Sequence, residues 1–108
     1  MSTGDDWANR RQEERYALEA PALLVWGGER YRGTVRNLSS RGMFITLETR
    51  AQELRLEDRV EVALEELELT REATVCRVEE QADEAEPVGL GLILHESVDL
   101  APVFERYL

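Results

Sequence analysis

The chain has 108 residues, 43% of them hydrophobic and 33% charged, with a formal net charge of -10. That length fits one domain with one core, and no apolar run approaches the 18 or so residues of a membrane span. The acidity excludes duplex nucleic acid as a natural partner, because duplexes are held chiefly through neutralised phosphates.

Residues 1–15, MSTGDDWANRRQEER, are polar, with Trp7 as their one large apolar side chain. They are expected to form an arm with little structure of its own, ahead of a folded unit over 16–108. The arm holds Arg10, Arg11 and Arg15, three of the thirteen arginines, within the six residues RRQEER. The surplus of positive charge is local: residues 1–41 carry seven arginines against six carboxylates, and residues 42–108 carry six against seventeen. An anion bound by this chain is therefore expected to be small and to lie near the first forty residues.

From Tyr16 onward, short apolar runs alternate with turn signals. Strands are predicted over 18–26, 30–38, 42–48, 58–65, 67–79 and 87–95, with Gly27 and Gly28 making a tight hairpin between the first two. Alternation is clearest at Val60, Val62 and Leu64 and again at Ala73 and Val75, as expected of strands with one wet face. Short strands without crossover helices predict a small closed barrel. The acidic stretch QADEAEP, 81–87, reads as a solvated hairpin tip. In the tail SVDLAPVFERYL the period becomes helical, through Leu100, Val103, Phe104, Tyr107 and Leu108. Ser97 or Asp99 serves as N-cap in this reading, and Pro102 falls in the first turn.

Catalysis finds little support. His95 is the only histidine and Cys76 the only cysteine, and no HExxH, GxSxG, CxxC or P-loop spacing occurs. Both are read as ordinary strand residues, metal ligation lacks its donors, and no disulfide can form within the chain. With no apolar leader in its first residues, the chain is expected to be cytoplasmic and not inserted in a membrane.

The arginines carry more. Arg11 and Arg15 form an RxxxR, a spacing repeated by Arg32 with Arg36 and by Arg55 with Arg59. Within a strand such a pair shares one face, so Arg32 and Arg36 read as a solvated surface with Val35 turned inward. Arg11 and Arg15 instead lie just before the first strand, free to close over a ligand. Guanidinium suits phosphate through its planar fork and suits a base through its flat face. The second informative stretch is NLSSRG, 37–42, between two strands. Taken alone it is turn chemistry, with Asn37 and Ser39 bonding nearby backbone and Gly42 permitting a positive φ or a close approach. An Asn amide facing a ligand also has the donor and acceptor to read a purine edge.

Together, RRQEER (Arg11, Arg15) followed some twenty residues later by NLSSRG (Asn37, Ser39, Gly42) resembles the PilZ domain, a small bacterial β-barrel that senses cyclic di-GMP. The likeness extends over nearly the whole chain, through the GGERYRGTVRNLS hairpin, the GLGLILHE strand and the closing helix. It implies an all-β fold, a six-stranded antiparallel barrel with a C-terminal α-helix, and a non-catalytic receptor needing no cofactor. By the resemblance, Arg11 and Arg15 bind phosphate and guanine, Asn37 and Ser39 contact guanine, and Gly42 leaves room for the base. Arg10, just ahead of the RxxxR, is associated in that family with a stacked cyclic di-GMP dimer. Many relatives have Gly-Gly where this chain has Arg41-Gly42, so Arg41 either restricts the loop or reaches the ligand as another cation. The turn in LEDRVEV also lacks a glycine common there. The implied mechanism orders the arm on the barrel and alters binding of a protein partner that the residues do not identify. The alternatives are an adaptor of the same fold without nucleotide dependence and a small nucleic-acid barrel, for which only Arg30, Tyr31 and Arg32 speak.

Overall fold

A computed structural model describes residues 14–49, 54–79 and 89–108. The strands are β1 (Tyr16–Trp26), β2 (Glu29–Leu38), β3 (Gly42–Leu47), β4 (Arg59–Leu64), β5 (Leu69–Glu79) and β6 (Gly89–Leu94), and one helix, α1 (Ala101–Tyr107), follows them. Period-two burial builds them: Leu18, Ala20, Ala22 and Leu24 of β1 point into the core, as do Val60, Val62 and Leu64 of β4. Neighbours are antiparallel throughout, in the order β1-β2-β3-β6-β5-β4, and β4 returns to β1, so the expected barrel is closed. Its interior is filled by Val35, Leu38, Met43, Ile45, Val75, Leu90, Leu92 and Leu94, all at most 1% exposed. Burying each of the larger aliphatics contributes roughly 1.5–3 kcal/mol, which makes this barrel a rigid support for its outer surface.

The β1–β2 hairpin turns at Gly27 and Gly28, at φ 59 and 78, the pair of left-handed residues that a two-residue hairpin requires. β5 begins later than the alternation suggests. Glu65–Leu67 forms a single 3-10 turn, and Glu68 stands at φ 52 before the strand starts at Leu69. In the turn of LEDRVEV, the missing glycine leaves Glu57 at φ 73.

Two strands depart from strict alternation. In β2 the register to β3 slips between Val35 and Asn37, so Arg36 is the extra residue of a bulge. In β5 the register to β6 slips between Val75 and Arg77, making Cys76 the extra residue. Each bulge turns the next side chain outward, Asn37 in one case and Arg77 in the other. Arg32 and Arg36 are exposed, as expected of a solvated face, and Arg36 is held by Glu19 at 2.9 Å and by the Thr46 hydroxyl at 3.1 Å.

The helix differs from expectation at its start. Its N-cap is Leu100, without a side-chain cap, and Ser97 plays no such part. Asp99 acts one residue earlier, accepting the Ala101 amide at Oδ1 over 3.0 Å. Pro102 does sit in the first turn. Of the apolar set only Val103 is buried within α1, while Phe104 and Leu108 are 38% and 62% exposed. Phe104 meets the Tyr16 ring edge-on at 4.9 Å, and Tyr107 donates its hydroxyl to Glu66. Burial of Tyr107 pushes its phenol up, and the bond to Glu66 adds to that.

Candidate functional site

Arg15 stands one residue ahead of β1, whose Ala17 pairs with Asn37 near the end of β2. That register brings the two together: Arg15 Nη1 donates to Asn37 Oδ1 at 2.8 Å. The bond is available because the β2 bulge has turned Asn37 out of the barrel. It engages one N–H of the guanidinium, and the others, like the Asn37 amide NH₂, have no partner among the described residues.

The NLSSRG turn lies beneath. Ser39 is 1% exposed; its N–H donates to the Gly42 carbonyl at 2.8 Å, its hydroxyl donates to the same carbonyl at 3.3 Å, and Oγ accepts the Arg41 N–H at 3.4 Å. Ser39 therefore performs the turn chemistry that the sequence suggests, whereas Asn37 bonds the Arg15 side chain. The Ser40 and Arg41 carbonyls accept the Val98 and Leu94 amides at 2.7 and 2.9 Å, tying the turn to the last strand and the segment after it. Gly42 serves by close approach. A Cβ there would stand 3.1 Å from the Leu92 carbonyl oxygen, 3.3 Å from Arg15 Nη2 and 3.6 Å from Ser39 Oγ, so any side chain presses on the arginine.

Two hollows open on this outer surface and share Arg15 and Cys76. The first, about 340 Å³, is lined by Arg15, Asn37, Phe44, Cys76, Arg77, Glu79 and Gly91. The second, about 300 Å³, is lined by Arg15, Ser39, Arg41, Gly42, Cys76, Leu92 and Ile93. They form one groove across β2, β3, β6 and β5, and among the described residues its lining holds Arg15, Arg41 and Arg77 against the single carboxylate Glu79. In a chain of net charge -10 this is a cationic surface, and screening over about 8 Å at physiological salt keeps the acidic remainder from cancelling it.

Of the residues singled out in the sequence, Arg15, Asn37, Ser39, Arg41 and Gly42 meet in this groove. Arg10 and Arg11 lie outside the described residues, as do Trp7 and the 81–87 segment. Phe44, Cys76, Arg77, Glu79 and Gly91 were not apparent as groove residues from sequence. Cys76 is exposed, and its Sγ lies 3.4 Å from the Gly91 carbonyl oxygen. His95 follows β6 and meets the Thr74 hydroxyl at 2.7 Å. Among the described residues no group of His, Cys, Asp and Glu could hold a metal, and no helix is long and apolar enough to cross a membrane.

A family model for the PilZ domain matches residues 9–107. Among solved structures, the Bacillus subtilis inhibitor of motility (MotI/DgrA) superimposes with a TM-score of 0.64 at 21% identity, over 88% of this chain and 47% of its own. Escherichia coli YcgR in complex with c-di-GMP gives 0.56 at 20% identity, over 90% and 42%, and the PilZ domain of YcgR with c-di-GMP gives 0.50 at 20%, over 90% and 84%. The chain thus spans about half the length of the first two, and at these identities the likeness establishes the fold. No curated protein matches.

Proposed function

The chain belongs to the PilZ domain family, and from that premise we propose that it is a non-catalytic receptor for cyclic di-GMP, the ligand held by the YcgR structures it resembles. The observation that carries this reading is the Arg15–Asn37 pair, bonded at 2.8 Å over an open groove. It joins a phosphate-binding fork to an amide whose NH₂ has no partner among the described residues. Arg15 takes a phosphodiester in two parallel bonds, each contributing on the order of 1.5–3 kcal/mol, and the Asn37 amide meets the guanine edge. Micromolar binding needs about 8 kcal/mol in all, within reach of two or three such arginines after the cost of ordering an arm.

Arg10 and Arg11 supply the remaining cations. The segment 1–15 closes over the groove when ligand provides the phosphates, and 16–108 acts as the platform. Arg41 serves the second hollow, so the groove has a cation for each lobe beside the shared Arg15, an arrangement that suits two stacked ligands. The closed arm then presents a changed face to a protein partner. Neither metal nor cofactor enters this mechanism. Its setting is the bacterial cytoplasm, where the second messenger is made.

Calorimetry with cyclic di-GMP tests the reading. Expected are heat with the wild type, a plateau at two ligands per chain, and affinity lowered by about tenfold to a hundredfold in Arg15→Ala and Asn37→Ala. Amide protection over residues 9–15 should rise with ligand. No heat with the wild type would refute the receptor and favour the adaptor; a plateau at one ligand would refute only the dimer.

A further inference from the structure

Resting on that receptor reading, we propose that Arg77 of β5 is a further ligand-contacting residue, the cation of the groove's far wall, and that it exchanges Glu79 for a ligand phosphate. The β5 bulge at Cys76 places Arg77 on the outer surface, where continued alternation from Ala73 and Val75 would have turned it inward. The pairing then sets one row across four strands: Asn37 opposite Phe44, Phe44 opposite Gly91, and Gly91 opposite Arg77. Asn37 and Arg77 thus end a rung whose middle is an aromatic ring and a residue without a side chain.

Gly91 is the floor of that rung. A Cβ there would stand 3.0 Å from Arg77 Cβ and 3.5 Å from Cys76 Sγ, so the arginine stem already lies against the space the glycine leaves. Arg15, just ahead of β1, and Arg77, on β5, line the same hollow of about 340 Å³. A cyclic dinucleotide carries its two phosphodiesters on opposite sides of one ring, and cations on two walls match that spacing of charge better than a single fork does. Arg32 and Arg59 are also exposed yet line neither hollow.

Glu79 explains how Arg77 is kept in place without ligand. Arg77 Nη2 lies 3.2 Å from Glu79 Oε1, with the two side chains 65% and 40% exposed. A pair this open to water holds its partners weakly, so an incoming phosphate, able to take the guanidinium fork in two bonds, displaces the carboxylate readily. The carboxylate also limits the pull of this wall on unrelated anions.

The experiment is titration of cyclic di-GMP into the wild type, Arg77→Ala, Arg77→Lys, Glu79→Gln and the control Arg32→Ala, repeated at several salt concentrations. Arg77→Ala should weaken binding by about tenfold to a hundredfold and flatten the dependence of affinity on salt, since one phosphate contact is gone. Arg77→Lys should recover part of the loss, having the charge but not the fork, and Glu79→Gln should tighten binding about two- to fivefold by releasing Arg77. The melting temperature of Arg77→Ala should stay within about 2 °C of the wild type, which separates loss of a contact from loss of structure. Binding by Arg77→Ala equal to that by Arg32→Ala, with wild-type binding intact, would overturn this inference and leave the receptor standing. Weakened binding by Glu79→Gln would overturn the exchange, and a wild type that binds nothing would overturn both inference and receptor.

Discussion

The groove and the hollow beside the helix invite comparison, because the helix-side hollow is larger than either lobe of the groove and yet has no ligand chemistry. The helix-side hollow encloses about 490 Å³ between Glu65, Glu66, Leu67, Glu68, Pro102, Glu105 and Arg106. Its one cation is outnumbered four to one by carboxylates and is already engaged, since Arg106 Nε lies 3.4 Å from Glu66 Oε1. The neighbouring Tyr107 and Glu66 bonds hold Arg106 all the more firmly in its charged form. In the groove the balance tips the other way, and Arg15 is oriented by a neutral amide, with no carboxylate paired to it among the described residues. Volume therefore says little about where an anion goes. What decides is the balance of charge around the opening, four carboxylates to one cation beside the helix and one carboxylate to three cations among the described groove residues.

The sharpest way to break this contrast is to remove an arginine from each side. Arg15→Ala should weaken cyclic di-GMP binding about tenfold to a hundredfold, while Arg106→Ala should leave it within about twofold; equal losses in a titration would erase the distinction. Next in size is Gly42→Ala. Its methyl would press on the Leu92 carbonyl oxygen at 3.1 Å and on Arg15 Nη2 at 3.3 Å, and the guanidinium is the partner able to move. Affinity should fall about tenfold, with the barrel's circular dichroism unchanged.

The smallest effect belongs to the helix side. Hydrogen bonds from Tyr107 and Arg106 hold the Glu66 carboxyl below its usual range, so they favour its ionised form in the folded chain. Their stabilisation is present above the ordinary carboxylate range and is lost as pH falls through the lowered folded value. Tyr107→Phe should accordingly lower the melting temperature slightly at neutral pH, and the difference should shrink in acid. A gap that stayed constant across that range would assign the effect to packing against the barrel.

The sequence made the barrel legible wherever alternation is unbroken. Val60, Val62 and Leu64 and the Gly27-Gly28 turn needed only period two and two left-handed residues. The site was legible in its motifs, through Arg15, Asn37 and Gly42, and illegible on its far wall, for a physical reason. A bulge needs no distinctive residue, so counting by twos from Val75 sends Arg77 into the core, as counting from Val35 does Asn37. The trace left in the sequence is a break of parity: VRNL at 35–38 and VCRV at 75–78 each place two aliphatic residues three apart with an arginine among the two between. Both are bulges in the structure, and both deliver a side chain to the groove. The later start of β5 had no such trace, because a 3-10 turn ending in a left-handed glutamate resembles a continuing strand in composition.

The barrel's closure is uneven. β1 and β4 are joined only at Leu23–Ala63, Leu24–Val62 and Val25–Glu61, whereas β1 and β2 pair along nearly their full length. Neither strand of that short seam belongs to the run β2-β3-β6-β5 that carries the groove. Thermal opening should begin where the fewest hydrogen bonds must break together, so amide exchange should be fastest along the seam and slowest between β3 and β6. A barrel ajar at the seam would keep its groove strands paired, so the barrel breathes on one side while the groove on the other keeps its shape.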